Sequence, residues 1–143
     1  MNRVLFRSQS VEWATPRALY EALDTEFHFD FDPCPLGGSN DGLSTLFTEW
    51  QGHRVYCNPP YGDIAAWLRR GREADLAVFL VPARTDTRWF HELVMPYASE
   101  IRFIRGRLKF GDATWGAPFP SMVIVMKRRD EKEGAEAGNT GSR

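Results

Sequence analysis

The amino-acid sequence predicts an α/β domain: a mostly parallel sheet whose strands are joined by right-handed helical crossovers, with one strand antiparallel. Three observations carry this. Strand-type and helix-type segments alternate along the chain. Two runs, Leu76 to Val81 and Met122 to Met126, are apolar without interruption, as strands covered on both faces are. The loop joining the last two strands is too short for a helical crossover, so one of them runs antiparallel to the other. With 143 residues, 43% of them apolar, the chain fits one domain with a buried core.

Thr15-Pro16 opens the first helix, with Thr15 as N-cap, Pro16 at the first helical position, and Ala18, Leu19, Ala22 and Leu23 on one stripe. It is expected to end near Thr25. Phe27-His28-Phe29-Asp30-Phe31-Asp32 alternates strictly and reads as a strand with one polar face, stopped by Pro33. Residues 36–53 read as loop with at most a short helix. Arg54 to Cys57 is a short strand, and Asp63 caps a helix that turns Ile64, Trp67 and Leu68 inward. Residues 86–95 read as a helix with Trp89, Phe90, Leu93 and Val94 inside, Asp86 being a candidate cap. Ile101 to Arg105 is the strand before the final apolar run. The domain is expected over 11–128, with an N-terminal extension at 1–10 and a disordered tail over 129–143.

The chemistry concentrates in Asn58-Pro59-Pro60-Tyr61, which follows the strand at 54–57 and precedes a helix start. An exocyclic amino nitrogen is a poor nucleophile because its lone pair is delocalised into the base. A catalyst must hold that nitrogen pyramidal and aim it at an electrophilic methyl. The Asn58 side-chain oxygen and the Pro59 main-chain oxygen can each accept one amino hydrogen, and the proline pair fixes their relative direction through locked φ angles. Tyr61 supplies a ring to stack on a base that has left its helix. The same residue types also suit a strand-ending turn. The context of strand, tetrapeptide and helix start is what points to methylation of an amino group.

Net charge is −1, but residues 54–129 carry +6, against −5 over 1–53 and −2 over 130–143. The basic part surrounds the tetrapeptide and is mostly Arg, the residue suited to phosphate forks and base edges. Cys34 and Cys57 make neither a disulfide framework nor a paired-cysteine metal site, and the histidines and cysteines lack zinc-ligand spacing. No metal is expected. No stretch is long or apolar enough to span a membrane, and no secretory signal appears at Met1, so an intracellular, cytoplasmic protein is expected.

Taken in order, these residues resemble the phage-type DNA adenine-N6 methyltransferases over about positions 11–127. The likeness runs through Glu12-Trp13-Ala14-Thr15-Pro16, then Phe31-Asp32-Pro33-Cys34 with Asn40-Asp41-Gly42-Leu43 and Trp50, then Cys57-Asn58-Pro59-Pro60-Tyr61-Gly62. It continues with Leu80-Val81-Pro82-Ala83-Arg84-Thr85-Asp86-Thr87, Gly106-Arg107-Leu108-Lys109-Phe110 and Ala117-Pro118-Phe119-Pro120-Ser121. The resemblance implies a compact Rossmann-like fold that uses S-adenosylmethionine, DNA with a flipped adenine as substrate, and a phage or prophage product working in the bacterial host cytoplasm. It implies that Trp13, Thr15 and Pro16 lie against the methionine portion of the cofactor, with Asp32, Pro33, Cys34 and Asn40 completing that site. Asn58, Pro59 and Tyr61 take the catalytic roles. Pro60, Arg84, Thr85, Arg88, Arg107 and Lys109 fall to the DNA.

Only 25 residues separate Asp32 from Asn58, too few for the two extra strand–helix units of larger methyltransferases. Those units usually supply an acidic residue for the cofactor ribose; Asp41 and Glu49 are the candidates here. The first strand alternates where a central strand would be apolar throughout. The expected order is therefore 1-4-5-7-6 in the family's numbering, with the segments 27–32 and 101–105 at the two edges. An exposed edge invites pairing, and a homodimer is expected to cover it. No segment is large enough for a separate target-recognition domain, so relaxed sequence specificity is expected, with contacts from the loops at 84–88 and 106–117. Two other readings stay open: amino methylation of an RNA base or a protein glutamine, and a DNA-binding module without turnover.

Overall fold

The computed structural model describes residues 14–34, 49–110 and 116–128. Helix α1 (Arg17–Phe27) precedes strand β1 (Arg54–Cys57), helix α2 (Ile64–Gly71), strand β2 (Leu76–Pro82), a π-helical turn (Phe90–Val94), and strands β3 (Glu100–Phe103) and β4 (Ser121–Lys127). The strands form one mixed sheet in the order β1-β2-β4-β3. β1 and β2 are parallel, with Cys57 opposite Phe79, and α2 is their crossover. β4 runs antiparallel to both β2 and β3. The antiparallel strand expected from the short 104–120 connection is thus β4.

Every residue of β2 and the first six of β4 are buried, so these two strands form the middle of the sheet. Their alternate side chains go to opposite faces. Ala77, Phe79, Val81, Met122, Ile124 and Met126 join Val55 and Cys57 on one face, under Ile64, Trp67 and Leu68 of α2 and Phe90 and Val94 of the π turn. Leu76, Val78, Leu80, Val123 and Val125 join Tyr56 on the other, under Leu23 and Phe27 of α1 and the loop residues Phe110 and Ala117. Burial of both faces is why these strands read as unbroken apolar runs.

Three expected elements differ. Residues 27–32 do not form a strand: α1 continues to Phe27, His28 ends it in the left-handed conformation (φ 56°), and Phe31 makes a single parallel bridge to Val55. The even spacing of the three phenylalanines has another cause. Phe27 is buried from the helix, Phe29 packs with it on the α1 face, and Phe31 packs on the α2 face against Trp50. The helix expected over 86–95 is shorter and becomes a π turn, with the Met95 amide donating to the Phe90 carbonyl over 2.9 Å. Its first turn is capped by Thr87, whose Oγ1 accepts from the Phe90 amide at 3.2 Å, and not by Asp86. Pro16 is the N-cap of α1 and not its first helical residue, and neither Thr15 nor Asp63 makes the side-chain capping bond expected of it. The extension at 1–10, most of the loop at 36–53 and the tail at 129–143 lie outside the described residues.

Candidate active site

The carboxyl ends of β1 and β2 share one rim of the sheet with the amino end of β4, where Pro82 pairs with Ser121. The Ala83 amide extends this pairing by donating to the Pro120 carbonyl at 2.9 Å. Ligands in open α/β sheets bind outside such strand ends, because the loops there converge and backbone groups are freed from the ladder. Asn58-Pro59-Pro60-Tyr61 leaves β1 at this rim. Pro59 is buried, and Pro60 leads into the 3-10 turn Tyr61–Asp63 that starts α2.

Asn58 is held by a residue far away in sequence. Its Nδ2 donates to Thr15 Oγ1 at 3.4 Å, and Thr15 Oγ1 shares a hydrogen bond of 2.5 Å with the Tyr56 hydroxyl. With the nitrogen end so engaged, the buried Oδ1 is the acceptor end of the amide. The Tyr61 ring meets Phe119 edge to face at 5.4 Å, and Phe119 in turn packs on Phe110, so the loop after β3 closes over the tetrapeptide. The Tyr61 hydroxyl is buried with no hydrogen-bond partner among the described residues. Burial pushes its pKa well above the usual phenol range, against the pull of the nearby Arg84 charge.

Phe31 joins this rim through its carbonyl, which accepts from the Tyr56 amide at 3.0 Å. The segment after it carries Asp32, the buried Pro33 and the half-buried Cys34, whose amide donates to Asp32 Oδ1 at 3.0 Å. Asp32 keeps solvent on one side. The protein crowding its other side pushes the carboxyl up to about 6, and the Cys34 amide pulls the other way. Burial raises the pKa values of Tyr20, Tyr56 and Cys57, and the Asp32 charge adds to each in the same direction. Cys57 is fully buried in β1 and stays a thiol.

The basic candidates separate by position. Arg84 and Thr85 are exposed just beyond β2, and Arg84 is the cation that acts on Tyr61. The Thr85 carbonyl accepts from His91 Nε2 at 2.7 Å. Arg88 points into solvent and pairs with Glu92 at 3.4 Å. Arg107 ties its loop by donating to the Ala117 carbonyl at 3.3 Å, and Lys109 is exposed on the same stretch. Trp13, Asn40 and Asp41 lie outside the described residues, and Glu49 is exposed beside a separate cavity lined by Gln51, Arg70, Arg72, Glu73 and Arg128.

Asn58, the Tyr61 ring and the Asp32 carboxylate thus lie on segments that meet at one rim. Residues 5–139 match the family described as DNA N-6-adenine-methyltransferase (Dam). The chain belongs to the Dam family. It is similar to the DNA N-6-adenine-methyltransferase of Haemophilus phage HP1 (strain HP1c1), 25% identical over 135 residues that cover 80% of this chain and 78% of that relative.

For a Dam family chain, two residues at the rim went unassigned by sequence reasoning. Tyr56 is buried in β1 between Val55 and Cys57, and the one available signal is that a buried phenol needs a partner for its hydroxyl. Phe119 lies in the stretch 117–121, but nothing in its spacing tells that it packs on Tyr61.

Proposed function

We propose that this chain transfers a methyl group from S-adenosylmethionine to the N6 amino group of adenine in DNA, on a compact Rossmann-like domain spanning 11–128. The observation that supports the reading is the place of Asn58 directly after the carboxyl end of β1, with its Nδ2 donating to Thr15 Oγ1. In this reading Asn58 Oδ1 and the Pro59 carbonyl accept the two amino hydrogens and turn the nitrogen lone pair out of the ring. Tyr61 stacks on the flipped adenine, and Pro60 holds the approach of the base. Because the leaving group is already installed in the cofactor, the protein's work is orientation and exclusion of water. Neither amide oxygen is basic enough to keep a proton, so the proton lost from N6 passes to water.

The residues present fit the cofactor. S-adenosylmethionine is a cation at its sulfur and its amino group, and when bound it supplies an electrophilic methyl on a sulfur that departs neutral. Asp32 is a carboxylate short of solvation, which gains from a cationic neighbour. Thr15, Pro16, Asp32, Pro33 and Cys34 would hold the cofactor, together with Trp13 and Asn40. Arg84, Thr85, Arg88, Arg107 and Lys109 would meet the DNA, with relaxed sequence specificity. Among the described residues no helix is long and apolar enough to cross a membrane.

The outer edge of β3, where Phe103 is 63% exposed, would join two copies in a homodimer. A monomeric mass in light scattering contradicts that part alone. The reaction is tested by incubating labelled S-adenosylmethionine with unmethylated DNA of mixed sequence and identifying the labelled nucleoside after digestion. N6-methyladenine spread over many sequence contexts is the expected result. Label in another base, in RNA or protein, or in no product contradicts the proposal, and methylation confined to one strict motif contradicts the relaxed specificity.

A further inference from the structure

We infer that Tyr56 is a positioning residue for Asn58, acting through the Thr15 hydroxyl; this rests on the catalytic reading of Asn58 above. An asparagine amide has two ends of nearly equal size, and only the oxygen accepts. Turned over, it would aim N–H groups at the amino group it is meant to hold. β1 fixes the Asn58 backbone but not the amide plane. A contact that bears on the plane is Nδ2 to Thr15 Oγ1, from a residue 43 positions earlier.

Thr15 stands one residue before Pro16, the N-cap of α1, so its hydroxyl is not in the position that caps free helix amides. It makes its shorter bond, 2.5 Å, with Tyr56, and that bond holds it over Asn58. Tyr56 is itself immovable: it is 2% exposed, and its ring packs edge to face on Tyr20 at 5.1 Å and against Phe29 at 5.3 Å. Burial keeps its phenol protonated and neutral. The chain from Tyr56 to Thr15 to Asn58 therefore runs from the rigid core to the side-chain amide of the tetrapeptide.

The relay gives a signature that a purely structural role lacks. In Tyr56→Phe the ring packing is retained, so the melting temperature is expected to stay close to that of the parent protein. Meanwhile kcat falls about tenfold, and KM for DNA and for the cofactor changes by less than about twofold. Thr15→Ser keeps the hydroxyl, and with it the Asn58 NH2 resonances are expected to stay at their parent positions. Thr15→Val loses activity, and adding Tyr56→Phe to Thr15→Val brings no further loss, because one relay is already broken. The Asn58 side-chain NH2 resonances, read by NMR without substrate, shift in Tyr56→Phe.

Full kcat in Tyr56→Phe, losses that multiply in the double variant, or unmoved Asn58 resonances would overturn the inference. The resonance measurement also separates it from the reading beneath it. A parent protein that methylates no DNA while its Asn58 resonances respond to Tyr56→Phe refutes the proposed reaction and leaves the relay standing.

Discussion

Phe119 meets the Tyr61 ring edge to face, with centroids 5.4 Å apart. The contact ties the loop before β4 to the tetrapeptide after β1, so the ring offered to a base is held by a residue 58 positions further along the chain. Phe119→Ala is expected to free Tyr61, raise KM for DNA several-fold and leave cofactor affinity unchanged. Tyr61→Phe should retain activity, because the hydroxyl it removes is buried without a partner among the described residues and its loss costs no bond. Tyr61→Ala should not. Steady-state kinetics on the three variants checks the set.

Asp32 makes stability depend on pH in a defined direction. Its carboxyl titrates at about 6 in the folded chain against an ordinary value of 3.8. Between those values the folded form keeps a proton that the unfolded chain has released, so this group's contribution is full below 3.8 and is lost as pH rises through about 6. Asp32→Asn should remove that limb and raise the melting temperature at pH 7 relative to the parent protein, while weakening binding of the cationic cofactor. Thermal melts at pH 4 and 7, with cofactor titrations at pH 7, test both halves.

Gly71 ends α2 against the sheet. A Cβ there would come within 2.6 Å of Phe79 Cε2 and 2.7 Å of Cζ, with Met126 Sδ at 3.1 Å. Phe79 is fully buried and has no room to retreat. Gly71→Ala is expected to cost about 1–3 kcal/mol of stability by overpacking, despite the gain in helix propensity. Denaturant unfolding measures it.

The outer parts of the sheet were less legible in the sequence than its middle. β2 and β4 announce themselves because burial on both faces leaves no polar position in Leu76–Val81 or Met122–Met126, and α2 does so through Ile64, Trp67 and Leu68, all buried as expected. The segment 27–32 misleads because alternation is a property of side chains, and here a helix end, a left-handed His28 and one bridge generate the same pattern as a strand. The tetrapeptide was legible because its spacing is local. Its supports were not: Thr15, Tyr56 and Phe119 reach it across the fold, and Thr15 looks like a helix cap until Tyr56 is seen to hold its hydroxyl.

Arg84 and Arg88 are separated by one turn but differ in setting. Arg84 acts on Tyr61 electrostatically, whereas Arg88 extends into solvent beside Glu92. Arg84→Gln should weaken DNA binding and lower the salt slope of binding by about one. Arg88→Gln should do less, since Glu92 already offsets its charge. Fluorescence anisotropy with a labelled duplex over a range of salt distinguishes them.

Asn58→Ala tests the central claim most directly, measured as methyl transfer to DNA alongside cofactor binding on the same preparation. The expected result is a fall in turnover of at least about a hundredfold, the scale lost when a site loses an oriented polar group, with S-adenosylmethionine still bound. An Asn58→Ala protein that methylates adenine at the parent rate would contradict the account.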